Sequence, residues 1–141
     1  MKSSIPIFLL VASAVLLAPP TFADDVTGKD KMICTSVRAT ECFADGECVP
    51  GSPENWNLPR FTKVDLEKMT LSTTEASGEN RTTPIDRVET DGDDILAQGA
   101  QGGRAFSLVL DQDSGTATVA VALEGSVLAI FSVCTPMDSL H

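Results

Sequence analysis

Cys34, Cys42, Cys48 and Cys134 are the residues best suited to do chemistry in this chain, and their spacing argues against most of it. A thiol oxidoreductase sets two cysteines two residues apart, so that one sulfur can resolve the other's mixed disulfide. Here seven and five residues separate the first three cysteines. A four-cysteine zinc site uses paired short spacings, and these are equally missing. The remaining reading is structural: two disulfides bracing a small exported domain.

Two acidic clusters bring hard oxygen ligands together, Asp91-Gly92-Asp93-Asp94 and Asp111-Gln112-Asp113-Ser114-Gly115. Neither completes the Asp-x-Asp-x-Asp-Gly pattern with a distal Glu that a calcium loop requires. Aspartate, serine and glycine are also turn residues, because their side chains bond the local backbone or permit positive φ, and that accounts for both clusters. The single histidine, His141, is the last residue, a poor place for a catalytic base. Without it a serine nucleophile would need a lysine or carboxylate partner, and no Gly-x-Ser-x-Gly or Ser-x-x-Lys motif follows residue 23. Gly99, Gly102 and Gly103 do not form a phosphate loop. Nothing singles out a carboxylate pair among the 20 acidic residues. We therefore assign no catalytic residue, no metal and no cofactor from the sequence.

The elements that must position these residues begin after a leader. Lys2 supplies a positive start, Ile5 to Leu17 an apolar run, and Thr21-Phe22-Ala23 a small-x-small cleavage site, so residues 1–23 are expected to be a signal peptide. A membrane span needs about 20 consecutive apolar residues, and Pro19-Pro20 interrupts this run well before that. A lipid anchor would need a cysteine at the cleavage point, where Asp24-Asp25 stands instead. Residues 24–141 are expected to be one domain with flexible ends at 24–30 and 137–141, periplasmic or secreted, free of the membrane after cleavage and monomeric. A net charge of -10 sets it against nucleic acid and against anionic membrane surfaces.

Short alternating segments separated by turn chemistry recur along the domain, and long helical periodicity does not. Phe106, Leu108 and Leu110 share one strand face, residues 111–115 turn, and Ala117, Val119, Val121 and Leu123 alternate again. Val127 to Val133 is apolar on both faces, the pattern of a covered strand. Gly102-Gly103 and Asp91-Gly92-Asp93 mark two more hairpins, and Phe61 to Leu66 pairs with Met69 to Thr73, with a short helix capped by Thr62 as the rival there. With Lys31 to Arg38 as the opening strand, the fold class is all-β: a small antiparallel up-and-down meander of about eight strands, closed or nearly closed into a barrel. Closure would remove both exposed edges, and such a barrel either fills its interior with side chains or holds one ligand.

Closure also bears on the cysteines. Four cysteines allow three connectivities. If the first and last strands of an eight-strand meander meet, they run antiparallel, which favours Cys34 with Cys134 and leaves Cys42 to Cys48. The connection from Val49 to Pro59 is long and rich in Pro, Gly and Asn, yet it carries Trp56, the only tryptophan, and Leu58. These two are the candidate binding-loop residues, set either to line a ligand site at one barrel end or to plug that end. Asn80-Arg81-Thr82 is formally a glycosylation sequon in a polar stretch.

The leader, the cysteine cluster followed by Asn57-Leu58-Pro59-Arg60-Phe61 and Val64-Asp65, and the terminal Cys134-Thr135-Pro136 resemble small exported bacterial proteins with an N-terminal cysteine cluster. That resemblance implies an exported disulfide-bearing chain and carries no catalytic residue across. Periplasmic lysozyme and protease inhibitors are also small disulfide-bearing barrels, but the aromatic motif of the lysozyme inhibitors has no counterpart in a chain without tyrosine. The expected function is a non-enzymatic periplasmic ligand-binding or protein-interaction module, its partner an unidentified protein or small molecule. The alternatives are a carboxylate-using enzyme and an inhibitor of an envelope hydrolase.

Overall fold

The computed structural model describes residues 23–77 and 80–139. The expected leader up to residue 22, and His141, lie outside the described residues. Ten antiparallel strands form one curled sheet: β1 (Lys31–Phe43), β2 (Cys48–Gly51), β3 (Phe61–Asp65), β4 (Thr70–Thr73), β5 (Thr82–Pro84), β6 (Arg87–Asp91), β7 (Asp94–Gln101), β8 (Arg104–Asp111), β9 (Thr116–Leu123) and β10 (Ser126–Pro136). Their order is β5-β4-β3-β1-β10-β9-β8-β7-β6, with β2 paired to β1 beside this path. Only short 3-10 turns interrupt the strands, and the segment from Phe61 is strand rather than the rival helix.

The sheet is a half-barrel by its ladders, and its two ends, β5 and β6, are separated by only Ile85 and Asp86. This short stretch changes partners as it goes. The Ile85 amide bonds the Met69 carbonyl next to β4, and the Asp86 amide bonds Gln98 in β7, both at 2.8 Å. Side chains lace the seam between β5 and β7: the Thr83 hydroxyl donates to Gln101 at 2.9 Å, and the Gln101 amide donates to the Thr82 carbonyl at 3.1 Å. With β5 and β6 taken as one interrupted strand and β2 set aside, the ten strands reduce to the eight expected around a nearly closed barrel.

Strands β1 and β10 meet antiparallel, and Cys34 stands directly opposite Cys134. The two form a disulfide across 100 residues of sequence, while Cys42 and Cys48 form a second across the β1–β2 hairpin. Covalent bonding of all four thiols places the chain in an oxidising environment. A bulge at Val37 interrupts β1, where the register shifts between Ser36 and Arg38. Met32, Cys34 and Ser36 face inward before it, and Ala39 and Glu41 after it. The bulge absorbs one inserted residue, so both halves of a long strand stay turned toward the same side although the inward positions pass from even to odd numbers.

Packing divides the barrel into unequal halves. Met32, Val64, Ile85, Ile95, Leu110 and Cys134 fill its lower end. Val26 completes this core from the segment before β1 and is fully buried, with its amide bonded to the Gln112 carbonyl at 2.8 Å. Val26, from the 24–30 stretch expected as a flexible end, thus completes the floor of the barrel, while most of its neighbours are exposed. Gly115 makes their passage possible: at φ +66° it turns the β8–β9 connection, and a Cβ there would lie 2.2 Å from the Asp24 carbonyl oxygen.

Candidate functional site

Inward positions higher in the barrel are occupied by small residues. Ser36, Thr62, Thr83, Ala97, Gly99, Ala117 and Ser132 alternate with outward side chains on six of the strands. Eight strands enclose an interior just wide enough for ordinary side chains to fill. With small ones at mid-height, the upper half stays hollow. A cavity of about 420 Å³ occupies it, a size within the range of small-molecule sites. Leu71, Phe106, Leu108, Val119, Val121 and Ile130 give it a largely apolar wall. Ser36, Ser72, Thr73 and Ser132 add scattered hydroxyls.

The cavity opens at the end where Gly102-Gly103 turns β7 into β8 and where Leu58 and Pro59 lead into β3. Arg81, Gln101 and Arg104 stand at this mouth. Among the described residues, no Asp or Glu lines the cavity, although acidic residues outnumber Lys and Arg two to one in the chain. The Arg81 guanidinium donates to the Asn57 carbonyl at 2.9 Å, which ties the rim near β5 to the loop before β3.

The two expected binding-loop residues part company. Leu58 lines the cavity, whereas Trp56 does not; both pack against the cluster of Ala39, Leu128 and Ile130, of which Ile130 also lines the cavity. The cause is local. A 3-10 turn over Pro53–Trp56 ends at Asn57, whose left-handed φ of 53° swings the chain between the two side chains. Trp56 is seated over Gly51, where a Cβ would stand 3.0 Å from the indole ring. Its Nε1 donates to Glu41 Oε2 at 2.7 Å, and the Ser126 hydroxyl donates to Glu41 Oε1 at 2.6 Å. These bonds, Ser126 first and Trp56 second, hold the Glu41 carboxyl below its ordinary value because they favour the ionised form. This triad braces the tryptophan. Cys34 lines the cavity floor with its disulfide, and Cys134 is buried behind it; Cys42 and Cys48 lie on the β1–β2 hairpin.

The acidic clusters act as turns. Asp111 Oδ1 accepts the Ser114 amide at 2.9 Å, and the Asp93 carbonyl accepts the Gln112 amide at the same distance. Among the described residues, no group of three or more His, Cys, Asp or Glu side chains is placed to hold a metal ion. Residues that sequence reasoning passed over include Arg81 and Arg104, which read there as loop and strand start. Period-two parity carried the signal for Arg104, which shares the inward-facing series of β8 with Phe106 and Leu108, whereas Arg81 lies just before β5, outside the strand. In comparisons with known proteins, the chain matches no family model, no curated protein and no solved structure.

Proposed function

We propose that this protein is an exported, non-enzymatic binding module, working in the periplasm or outside the cell, that holds a small and mainly apolar molecule inside its barrel. The observation that carries this reading is the hollow upper half of the barrel: an apolar wall, a mouth bordered by Arg81, Gln101 and Arg104, and a packed core below completed by Val26. About 420 Å³ is on the order of fourteen waters' volume at about 30 Å³ each. Each methylene that replaces such water against an apolar wall contributes about 0.8 kcal/mol, so a short hydrocarbon tail offsets the several kcal/mol of lost freedom on binding. The export side of the reading rests on the leader and on the oxidised cysteines. The enzymatic alternative draws no support from this cavity, since no Asp or Glu among the described residues lines it.

The test is titration of the protein with N-phenyl-1-naphthylamine, an apolar fluorophore, beside the cavity-filling variant Val119→Phe. The wild type is expected to brighten the probe and saturate at one equivalent. In the variant, the affinity falls by at least about ten-fold while the unfolding free energy stays within about 0.5 kcal/mol, because the added ring enters empty space. Overpacking of a filled interior costs about 1–3 kcal/mol instead. A loss of that size, or unchanged probe binding in the variant, overturns the proposal.

A further inference from the structure

The charge of the cavity mouth is opposite to that of the chain. Among the described residues, Arg81 and Arg104 are the only ionisable groups lining the cavity other than the disulfide-bonded Cys34, in a protein of net charge -10. Both residues are exposed, and Arg104 belongs to the inward series of β8. Arg81 is held by its bond to the Asn57 carbonyl. Among the described residues Arg104 has no carboxylate in salt-bridge range; Glu124 borders only a shallow depression on the outer side of Arg104. Directly beneath these cations the wall becomes apolar, through Ala105, Phe106, Val121 and Leu108.

A wet cationic rim over a dry apolar shaft matches a ligand with the same two parts. We infer that the ligand class is an amphipathic anion, a short or medium acyl chain ending in a carboxylate or a comparable acidic group, with the tail in the shaft and the anion between Arg81 and Arg104. This rests on the reading of the cavity as a ligand site. The depth sets the tail length: from Arg104 to Leu108 the wall runs about 13 Å along β8 at about 3.3 Å per residue, or about 10 Å along the axis after a strand tilt of about 40°. Leu110, nearly fully buried, closes the shaft below. Arginine suits the head group because its planar fork can grip a carboxylate with two parallel hydrogen bonds while staying hydrated on its outer side. The rim also discriminates: the acidic surface repels anions at long range, and only the mouth offers them a positive field.

Decanoate and decanol share a tail and differ in the head, so isothermal titration of each into the full domain separates the two halves of the idea. The wild type is expected to bind decanoate more tightly than decanol, with the preference shrinking as salt rises from low to physiological strength. Arg104→Gln is expected to cut that preference by about five-fold, the size of an exposed ion pair, and Arg104→Glu to reverse it. Equal affinity of the wild type for acid and alcohol, or an unchanged preference in Arg104→Gln, overturns the anionic head group while leaving the apolar cavity reading intact. Binding of neither compound overturns both.

Discussion

Removing the two disulfides one at a time should reveal very different contributions. In the chain-entropy account, a crosslink stabilises by restricting the unfolded chain, and the effect grows with the logarithm of the loop it closes. Cys34–Cys134 closes a loop of sequence separation 100, and Cys42–Cys48 one of separation 6. These lengths correspond to about 4.7 and about 2.2 kcal/mol. Packing widens the gap. Cys34 and Cys134 are 5% and 0% exposed, so replacing both by alanine also deletes two buried sulfurs, each comparable to a buried methylene at about 0.8 kcal/mol. The sum is about 6 kcal/mol for Cys34→Ala/Cys134→Ala, against about 2 for Cys42→Ala/Cys48→Ala, whose second cysteine is exposed. A domain of this size has only about 5–15 kcal/mol in total, so the first double variant should be close to unfolding at ambient temperature. Urea unfolding followed by both far-ultraviolet circular dichroism and Trp56 fluorescence measures this directly. The larger crosslink should also lower the wild-type denaturant slope relative to its variant, since it keeps the unfolded chain compact. Equal losses in the two variants, or a larger loss at Cys42–Cys48, would refute the reasoning.

Two further outcomes follow from contacts at opposite ends of the molecule. Glu41 titrates below its ordinary value in the folded state, so its contribution to stability is full above that value and is lost as the pH falls through the lower folded one; Trp56 emission should therefore change with a midpoint below 4.5, and Glu41→Gln should remove that step, while a midpoint above 4.5 would contradict the assignment. Val26→Ala deletes fully buried methyl groups at the floor and should cost about 2 kcal/mol by denaturant unfolding; a change under about 0.5 kcal/mol would mean that the 24–30 segment does not seal the barrel.

Much of this architecture was legible in the chain because period-two alternation and turn residues mark strands one by one. Phe106, Leu108 and Leu110 point inward as their spacing requires, and the antiparallel meeting of the first and last strands brings Cys34 to Cys134. The misses have physical causes. The first strand runs on to Phe43 because the bulge at Val37 breaks the alternation that would have announced its second half. The second strand contains Pro50 and Gly51, poor strand formers that are tolerated at an edge. Residues 24–30 are mostly polar, and the burial of Val26 depends on a groove that exists only once β8, β9 and β10 are assembled. The cavity itself was invisible for a related reason. Alternation says which residues face inward but not at what height, and hollowness arises only when Ser36, Ala117 and Ser132 come level across strands distant in sequence.

Val37 makes β1 a strand in two phases. Its first half belongs to the barrel wall with β3, and its second half belongs to the ribbon that carries β2 and the Trp56 loop. The bulge absorbs one residue, so Ser36 and Ala39, three apart in sequence, still stand opposite the successive inward residues Ser132 and Ile130. Deleting Val37 would make them regular neighbours two apart and leave Cys34 opposite Cys134 and Ala39 opposite Ile130; what would be lost is the local bend and extra twist that a bulge adds. Val37 is thus a joint rather than a spacer: it sets the angle at which the tryptophan platform leaves the barrel wall.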